Sequence, residues 1–203
     1  MRLFVGSAAL ALLAALAAPA EAGPAIGGVS RVAGGATGTI DGATETLENA
    51  ATIFLDEIVA TEAAARLEIT FEDATQLTLG ERAQVRIDRF VYDGGQTRRM
   101  TIAATGALRF VSSLQKASGA EISVRTPVAT IGIRGTDFWA GPIDGAFGVL
   151  LVEGEVVVSN AAGEAVLDEP GEGVNIAGPD AAPGNVTQWP QEKVGRALAA
   201  VAF

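Results

Sequence analysis

Apolar and polar residues alternate in short runs along most of the chain after its first 50 residues. Leu67, Ile69 and Phe71 are separated by single polar residues, and Val85 and Ile87 repeat the pattern. Such alternation gives a strand one buried and one solvent-facing side. Turn sequences recur roughly every 8 to 12 residues, a spacing typical of sandwiches, barrels and β-solenoids. The pattern predicts an all-β fold of twisted antiparallel sheets in a sandwich or solenoid-like arrangement.

Two short stretches indicate chain reversals. Asp93-Gly94-Gly95 follows an apolar run and is a strong turn sequence. Glu153-Gly154 separates the apolar runs 148–152 and 155–159. We expect these two runs to face each other as a short hairpin.

The C-terminal tail, 189–203, is the segment with a helical pattern. Pro190 suits the first turn of a helix, where a missing N–H costs little. Val194, Leu198 and Val201 recur at helical spacing and share one face. We predict a short C-terminal α-helix that packs on the β-domain, with a partner-binding helix as the alternative.

The first residues have the features of an export signal. Arg2 precedes an apolar run at 3–18, and Ala20-Glu21-Ala22 fits a small-residue cleavage site. We expect cleavage after Ala22, a periplasmic or secreted mature chain and no membrane insertion after cleavage. An uncleaved anchor is the alternative, although the run is somewhat short for a span of about 20 residues.

The chain divides into five segments by composition and pattern. They are a signal peptide at 1–22, a Gly/Ala-rich lead-in with the first strands at 23–50, a β-domain at 51–177, a linker at 178–188 and the C-terminal helix at 189–203.

Composition argues against several classes of function. The chain has no cysteine and no histidine, so we expect no disulfide, no lipid anchor on cysteine, no Ser-His-Asp triad and no common type of zinc site. A net charge of −10 argues against nucleic acid, because no strongly basic surface is available for phosphates. We expect no catalytic residues, no cofactor and no metal.

Acidic residues leave two weaker alternatives. Glu153 with Glu155, or Asp56 with Glu57, would supply the carboxylate pair that a glycosidase needs. The acidic loop 168–172 would supply oxygen ligands for calcium. Neither set matches a recognisable motif, and acidic residues at turns are typical of solvent-facing loops.

The most distinctive segment reads TPVATIGIRGTDF and starts at Thr126. Its two isoleucines alternate with Gly132 and Arg134, which predicts a strand with Arg134 on the polar side. Gly132 leaves room for a close backbone approach, and Gly135 allows a bulge or a positive φ that redirects the strand.

The other residues of this segment also fit a structural role. Pro127 suits a strand start and Thr136 a β-branched restart after Gly135. We expect the planar guanidinium of Arg134 to fold over the bend and bind carbonyls or a carboxylate. Contact with an anionic partner is the alternative for Arg134.

Aromatic residues follow the segment. Alternation places only one of Phe138 and Trp139 inside the domain. We expect the other to be buried under the helix or at a sheet edge; the alternative is an exposed aromatic, Trp139, that contacts a sugar or protein partner. Trp189, just before the predicted helix, is positioned to fasten that helix to the domain.

The segment resembles the signature of the FecR-domain family, which runs V-x-T-P-x-A-x-x-G-[VI]-R-G-T-x-F. The matching residues are Val124, Thr126, Pro127, Ala129, Gly132, Ile133, Arg134, Gly135, Thr136 and Phe138. The resemblance extends over 51–176. Members often have Asp-Gly where this chain has Asp73-Ala74, and often Gly where it has Ser113. Both departures concern turns.

The resemblance implies a stand-alone exported FecR-domain protein with a non-catalytic binding role. The iron-transport regulators of the family resemble membrane-spanning anti-sigma factors, and the export signal here leads us to expect no cytoplasmic segment of that kind. We expect an envelope or surface protein as partner; the sequence identifies neither this partner nor an oligomeric state. An accessory regulator of cell-surface signalling and a structural or adhesive surface component are the alternatives.

Overall fold

The computed structural model describes residues 23–93, 96–112 and 120–203, which form sixteen strands and one helix. The predicted signal segment, Gly94-Gly95 of the predicted turn and Ser113 lie outside the described residues. The elements are β1 (Ala25–Ala33), β2 (Ala36–Ile40), β3 (Ala43–Thr46), β4 (Thr52–Phe54), β5 (Ile58–Thr61), β6 (Arg66–Phe71), β7 (Gln76–Leu79), β8 (Gln84–Asp93), β9 (Gln96–Thr105), β10 (Leu108–Val111), β11 (Glu121–Arg125), β12 (Thr130–Ile143), β13 (Ala146–Asn160), β14 (Gly163–Leu167), β15 (Glu172–Ile176), β16 (Thr187–Gln188) and α1 (Gln191–Ala199).

The strands have the two faces that the alternation predicts. Leu67, Ile69 and Phe71 of β6 are buried, and the residues between them are half-buried. Val85 and Ile87 of β8 are buried in the same way. The predicted all-β fold class with a short C-terminal helix is confirmed.

The two longest strands, β12 and β13, run through the whole domain. They pair antiparallel from Thr130 opposite Ser159 to Ile143 opposite Ala146, with register shifts between Arg134 and Phe138. Along its other edge, β12 pairs first with β11 and then, after the shift, with β10. The strands bend at this register shift, and the bend divides one continuous sheet into two parts.

We call these parts the first and second half-sheets. The first contains β3, β2, β5, β8, β9 and β11 with the start of β12, the end of β13 and β14. The second contains β10, β7, β6, β1 and β4 with the rest of β12 and β13, and β15 and β16. Buried residues from both half-sheets form one apolar cluster, in which Ile102 and Ile131 of the first lie with Leu77 and Phe110 of the second.

One strand pair differs from the antiparallel arrangement expected from the sequence. β11 runs parallel to β9, with Ile122 opposite Met100. Between them the chain crosses to the second half-sheet as β10 and then returns, so the two strands approach in the same direction. The sheet is therefore mixed.

The hairpin predicted at Glu153-Gly154 is wrong, because β13 is a single strand through both residues. Gly154 has φ +93, and the chain bends there without reversing. The apolar runs on its two sides are consecutive parts of one strand in different half-sheets.

The C-terminal segment covers the outer side of the second half-sheet. α1 spans Gln191–Ala199 within the predicted segment 189–203, and Val201 beyond it is buried. Val194 and Leu198 pack on a second, smaller apolar cluster that contains Trp139 and Trp189. A Cβ on Gly148 would lie 2.7 Å from the Trp189 ring, so the indole lies directly on the sheet. In the described part of the chain, no helix combines the length and apolar character needed to span a bilayer.

The segments on either side of the predicted β-domain are joined to it by backbone hydrogen bonds. In the lead-in 23–50, β1 pairs with both β4 and β6. In the linker 178–188, β16 pairs with β15, and the amide of Gly184 donates to the carbonyl of Asn175 at 3.0 Å. The lead-in is therefore part of the same sheet.

Candidate partner-binding face

The solvent-facing side of the first half-sheet presents an open surface, which we call the outer face. It follows from the strand register, because paired residues on neighbouring strands point to the same side. Its central strands contribute Arg86 and Arg89 of β8, Arg99, Thr101 and Ala103 of β9, Glu121, Ser123 and Arg125 of β11, Thr130, Gly132 and Arg134 of β12, and Glu155, Val157 and Ser159 of β13.

The middle of the outer face is lined by small side chains. Thr101, Ser123, Gly132, Val157 and Val166 occupy one row across β9, β11, β12, β13 and β14. Val166 at the end of the row is 44% exposed. The row leaves a flat, partly apolar strip between charged residues.

Arg134 lies beside this strip and extends into solvent. Its side chain is 75% exposed, and Nη1 lies 4.0 Å from Oε1 of Glu155, at the limit of an ion pair. The expected folding of its guanidinium over the bend is therefore absent. Within the described residues, its guanidinium makes no hydrogen bond to the bend.

A different arginine makes the bidentate contact. Nε and Nη2 of Arg109 donate to the two carboxylate oxygens of Asp137 at 2.9 and 2.6 Å. These hydrogen bonds raise the pKa of the Arg109 guanidinium above its usual value. The pair joins β10 to β12 directly after the bend. Sequence reasoning missed it because the two residues are 28 positions apart and lie in no motif.

The bend itself is built by Gly135 and Thr136. Gly135 has φ +56, in the left-handed region that favours glycine. The buried Thr136 hydroxyl donates to the carbonyl of Glu155 at 2.8 Å and accepts from its amide at 3.3 Å. The Thr136 side chain thus replaces the backbone hydrogen bonds that the bulge interrupts. The expected change in strand direction at Gly135 is observed.

Thr126 and Pro127 lie in the turn between β11 and β12, not at a strand start. The Thr126 hydroxyl donates to the carbonyl of Ala129 at 2.8 Å and accepts from the Ala129 amide at 3.1 Å. The backbone amide of Thr126 donates to the same carbonyl at 2.9 Å. The T-P-x-A sequence therefore encodes a closed turn whose polar groups are satisfied internally.

Gly132 does not provide the close approach expected of it. A Cβ there would meet no atom nearer than the Val157 carbonyl oxygen at 3.7 Å, an ordinary contact. The close approach lies at Gly154, where a Cβ would be 2.8 Å from Cα of Thr136. Gly132 has no side chain and therefore makes the centre of the outer face flat.

Phe138 and Trp139 are both fully buried. Alternation alone would leave one of them outside the core, and the expected burial under the helix is observed for Trp139. The two side chains point to opposite sides, as alternation requires, but both sides are covered. Phe138 lies in the main core with its ring 5.9 Å from Phe110, and Trp139 lies under α1, 6.3 Å from the Trp189 ring. Trp139 is therefore enclosed by the chain's own tail.

Two of the acidic residues considered for catalysis or calcium, Glu57 and Glu172, accept hydrogen bonds from backbone amides. The buried Glu57 accepts from the Phe54 amide at 2.9 Å, and burial raises the pKa of its carboxyl. Glu172 accepts from the amides of Asp168 and Glu169 at 3.0 and 3.1 Å. Both carboxylates thus shape loops. Over the described residues, no group of three or more Asp or Glu is arranged to hold a metal ion.

A second buried carboxylate, Asp73, was not anticipated. Oδ1 of Asp73 accepts from the Thr75 amide at 2.9 Å, and Oδ2 accepts from the Thr97 hydroxyl. The first contact is local and closes the β6–β7 turn, and the second ties that turn to β9. Ala74, where family members often have glycine, has φ +63, which explains the glycine preference there.

These features define a class of β-domain: two half-sheets around one core, joined by a pair of long strands that bend together at an R-G-T sequence. Residues 57–157 match the family model described as FecR protein. The chain therefore carries a FecR domain and belongs to the FecR-domain family.

The fold is similar to two crystal structures of a candidate anti-sigma factor from Parabacteroides distasonis ATCC 8503, at 1.65 and 2.50 Å resolution. Both similarities have a TM-score of 0.57 and cover 70% of this chain, at 19% and 18% identity. They cover 64% and 63% of the compared chains, just under two thirds. At this identity the similarity concerns the fold. No curated protein has a sequence that matches this chain.

Proposed function

We propose that this protein is a non-catalytic binding module of the bacterial envelope that acts as a regulator in cell-surface signalling. Its outer face contacts a protein partner. The observation that carries the proposal is the position of Arg134, an exposed arginine of the family signature beside a flat strip of small residues. Membership of the FecR family and the fold similarity to a candidate anti-sigma factor support the signalling role.

The composition of the outer face suits protein recognition. Arginine is enriched in protein interfaces, where its long side chain combines apolar contact with several hydrogen-bond donors. Val157 and Val166 add apolar area at one end of the strip. The central Gly132 lets a partner lie close to the backbone.

Support for a non-catalytic role comes from the side chains that are available. The chain lacks histidine and cysteine, and the buried carboxylates of Glu57 and Asp73 hold turns. A periplasmic or secreted location is proposed from the export pattern at 1–22.

Site-specific photocrosslinking in the native host tests this function. A photoreactive amino acid at Val157 samples the outer face, and the same residue at the exposed Gln76 of β7 samples the second half-sheet. We expect a crosslink from position 157 to a membrane-associated regulator, and none from position 76.

Two results would reject the proposal. Equal crosslinking from both positions, or none from position 157, would show that the outer face is not the binding surface. Crosslinks only to surface polymers or to a structural surface protein would instead favour the structural or adhesive alternative.

A further inference from the structure

A cleft lies at one end of the outer face, between β5, β8, β9 and the β11–β12 turn. Its volume is about 360 Å³, and its lining includes Ile58, Arg86, Ala103, Arg125, Thr126 and Pro127. We call it the arginine cleft. Thr126 and Pro127 of the family signature form part of its rim, so the signature turn positions one wall.

The strand register explains how the two arginines come together. Ile58 is opposite Arg86, Arg86 is opposite Ala103, and Ala103 is opposite Arg125. Arg86 and Arg125 therefore flank Ala103 on β9, about 10 Å apart at the backbone, or two strand spacings. Because the residue between them is alanine, no long side chain stands between the two arginines, and both line the cleft.

The charges in this cleft are incompletely neutralised. Nε of Arg86 donates to Asp88 at 2.5 Å, and no other acceptor bonds this guanidinium among the described residues. Arg125 has no carboxylate within ion-pair distance in the described part of the chain. In a chain with a net charge of −10, two arginines with unused donors facing one cleft are a specific feature.

The walls indicate which kind of anion fits. Guanidinium groups bind carboxylates bidentately. Ile58, Ala103 and Pro127 add apolar surface that a free inorganic anion would not use. A carboxylate carried on a chain with apolar neighbours satisfies both parts of the lining.

We propose that the arginine cleft binds an acidic side chain of an extended peptide segment. This inference rests on the proposed function, since it identifies the chemistry by which the outer face recognises its partner. Arg125 is the main contact, because its guanidinium carries no internal ion pair.

Peptide titration of the ¹⁵N-labelled protein, followed by NMR, tests the proposal. The probe is a blocked peptide of alternating valine and glutamate, and its glutamine counterpart is the control. We expect saturable shifts of the Ala103, Thr105 and Thr126 amides with the glutamate peptide only. Arg125→Ala should weaken binding about tenfold or more, Arg125→Lys less, and the exposed Arg82→Ala should leave it unchanged.

Each other outcome overturns the inference. No saturable shift, equal binding of the glutamine peptide, or unchanged binding by Arg125→Ala excludes a carboxylate site. Tighter binding of inorganic phosphate than of the glutamate peptide would make this a simple anion site. If Arg125→Ala fails to fold, Arg125→Lys and Arg86→Gln give the same comparison with the long side chains retained.

The two proposals fail separately. Crosslinking from position 157 without peptide binding would support the outer face as the partner-binding surface and reject the arginine cleft as a carboxylate site. Peptide binding without any partner crosslink would support the cleft as an acidic-peptide site and reject the proposed signalling function.

Discussion

Gly135 and Gly154 face each other where β12 and β13 bend together. Both have positive φ, +56 and +93. A Cβ on Gly154 would lie 2.8 Å from Cα of Thr136 and closer still to the carbonyl oxygen of Gly135. At this bend, which joins the two half-sheets, the strands therefore leave no space for a side chain at position 154. The R-G-T sequence of β12 and the E-G-E sequence of β13 form the two sides of the same bend.

Gly154→Ala should destabilise the fold by about 3 kcal/mol, because it combines a left-handed residue with a backbone clash. Gly145→Ala is the matched control: its φ is +77, but a Cβ there would meet nothing within 4 Å. It should cost about 1 kcal/mol, the left-handed penalty alone. Urea unfolding measures both free energies, and equal losses would remove the argument for a close approach at the bend.

Thr136→Val should lower the free energy of unfolding by about 1–2 kcal/mol, because the amide and carbonyl of Glu155 lose their hydroxyl partner in a buried position. Thr136→Ser, which keeps the hydroxyl, should recover part of this loss. The exposed Thr130→Val should stay within about 0.5 kcal/mol. If Thr136→Val were as stable as Thr130→Val, the hydroxyl would not bridge the bulge.

Asp144→Asn should loosen α1. Arg196 donates to Oδ1 of Asp144 at 2.5 Å, and Lys193 lies 3.5 Å from Oδ2. Asparagine tolerates the φ of +53 at this position, so the substitution removes charge without new backbone strain. The chain's two tryptophans, Trp139 and Trp189, lie under the helix, and their fluorescence therefore reports its docking.

The pH dependence of this docking has a definite sign. The Arg196 hydrogen bond, with the nearby charges, lowers the pKa of Asp144. A carboxyl with a lowered folded-state pKa contributes stability above its unfolded-state pKa and loses it as the pH falls through the folded-state value. Docking should weaken on acidification in the natural chain and not in Asp144→Asn. The exposed Asp180→Asn should behave like the natural chain, and identical acid profiles for all three would contradict the ion pair.

Glu57 should show the opposite dependence. Burial raises the pKa of its carboxyl, which the Phe54 amide partly offsets and Glu45 reinforces. Its contribution to stability is therefore present below the unfolded-state pKa and is lost as the pH rises through the folded-state pKa. Glu57→Gln should gain stability relative to the natural chain as the pH rises from acid to neutral. Denaturant unfolding at several pH values tests this, with the exposed Glu48→Gln as control; a gain that does not change with pH would refute it.

The parts of the fold that could be predicted are those encoded locally. Alternation at Leu67, Ile69 and Phe71 predicts β6, and the spacing of Val194 and Leu198 predicts the face of α1 that packs on the domain. In both cases the chain neighbours that determine the pattern also determine the structure.

The rest depends on contacts between distant segments. The parallel pairing of β9 with β11 arises from a crossover through β10, which no local pattern contains. The burial of Trp139 depends on a tail about 50 residues further along, since that tail covers the second side of β12. The Glu153-Gly154 sequence suits a turn. Because it lies opposite the Gly135 bend of β12, it forms a bend inside β13 and not a chain reversal.

The candidate site was predicted in part. The signature identifies the bend at Gly135-Thr136 and places Arg134 on the polar side of the strand, as observed. The outer face as a surface could not be predicted, because it is assembled by register across strands from β8 to β14. The position of Ala103 between Arg86 and Arg125 follows from the register of three strands, and no local sequence pattern predicts it.

The most direct test of the account compares folding and partner capture in one variant, Arg134→Ala. The side chain is exposed, and its one ion pair among the described residues, with Glu155, is at the 4.0 Å limit, so its removal should change the free energy of unfolding by less than about 0.5 kcal/mol. At the same time, capture of the crosslinked partner from the envelope fraction should be lost. Intact stability with lost capture is the predicted result. Lost stability, or undiminished capture, would contradict the assignment of Arg134 to the binding face.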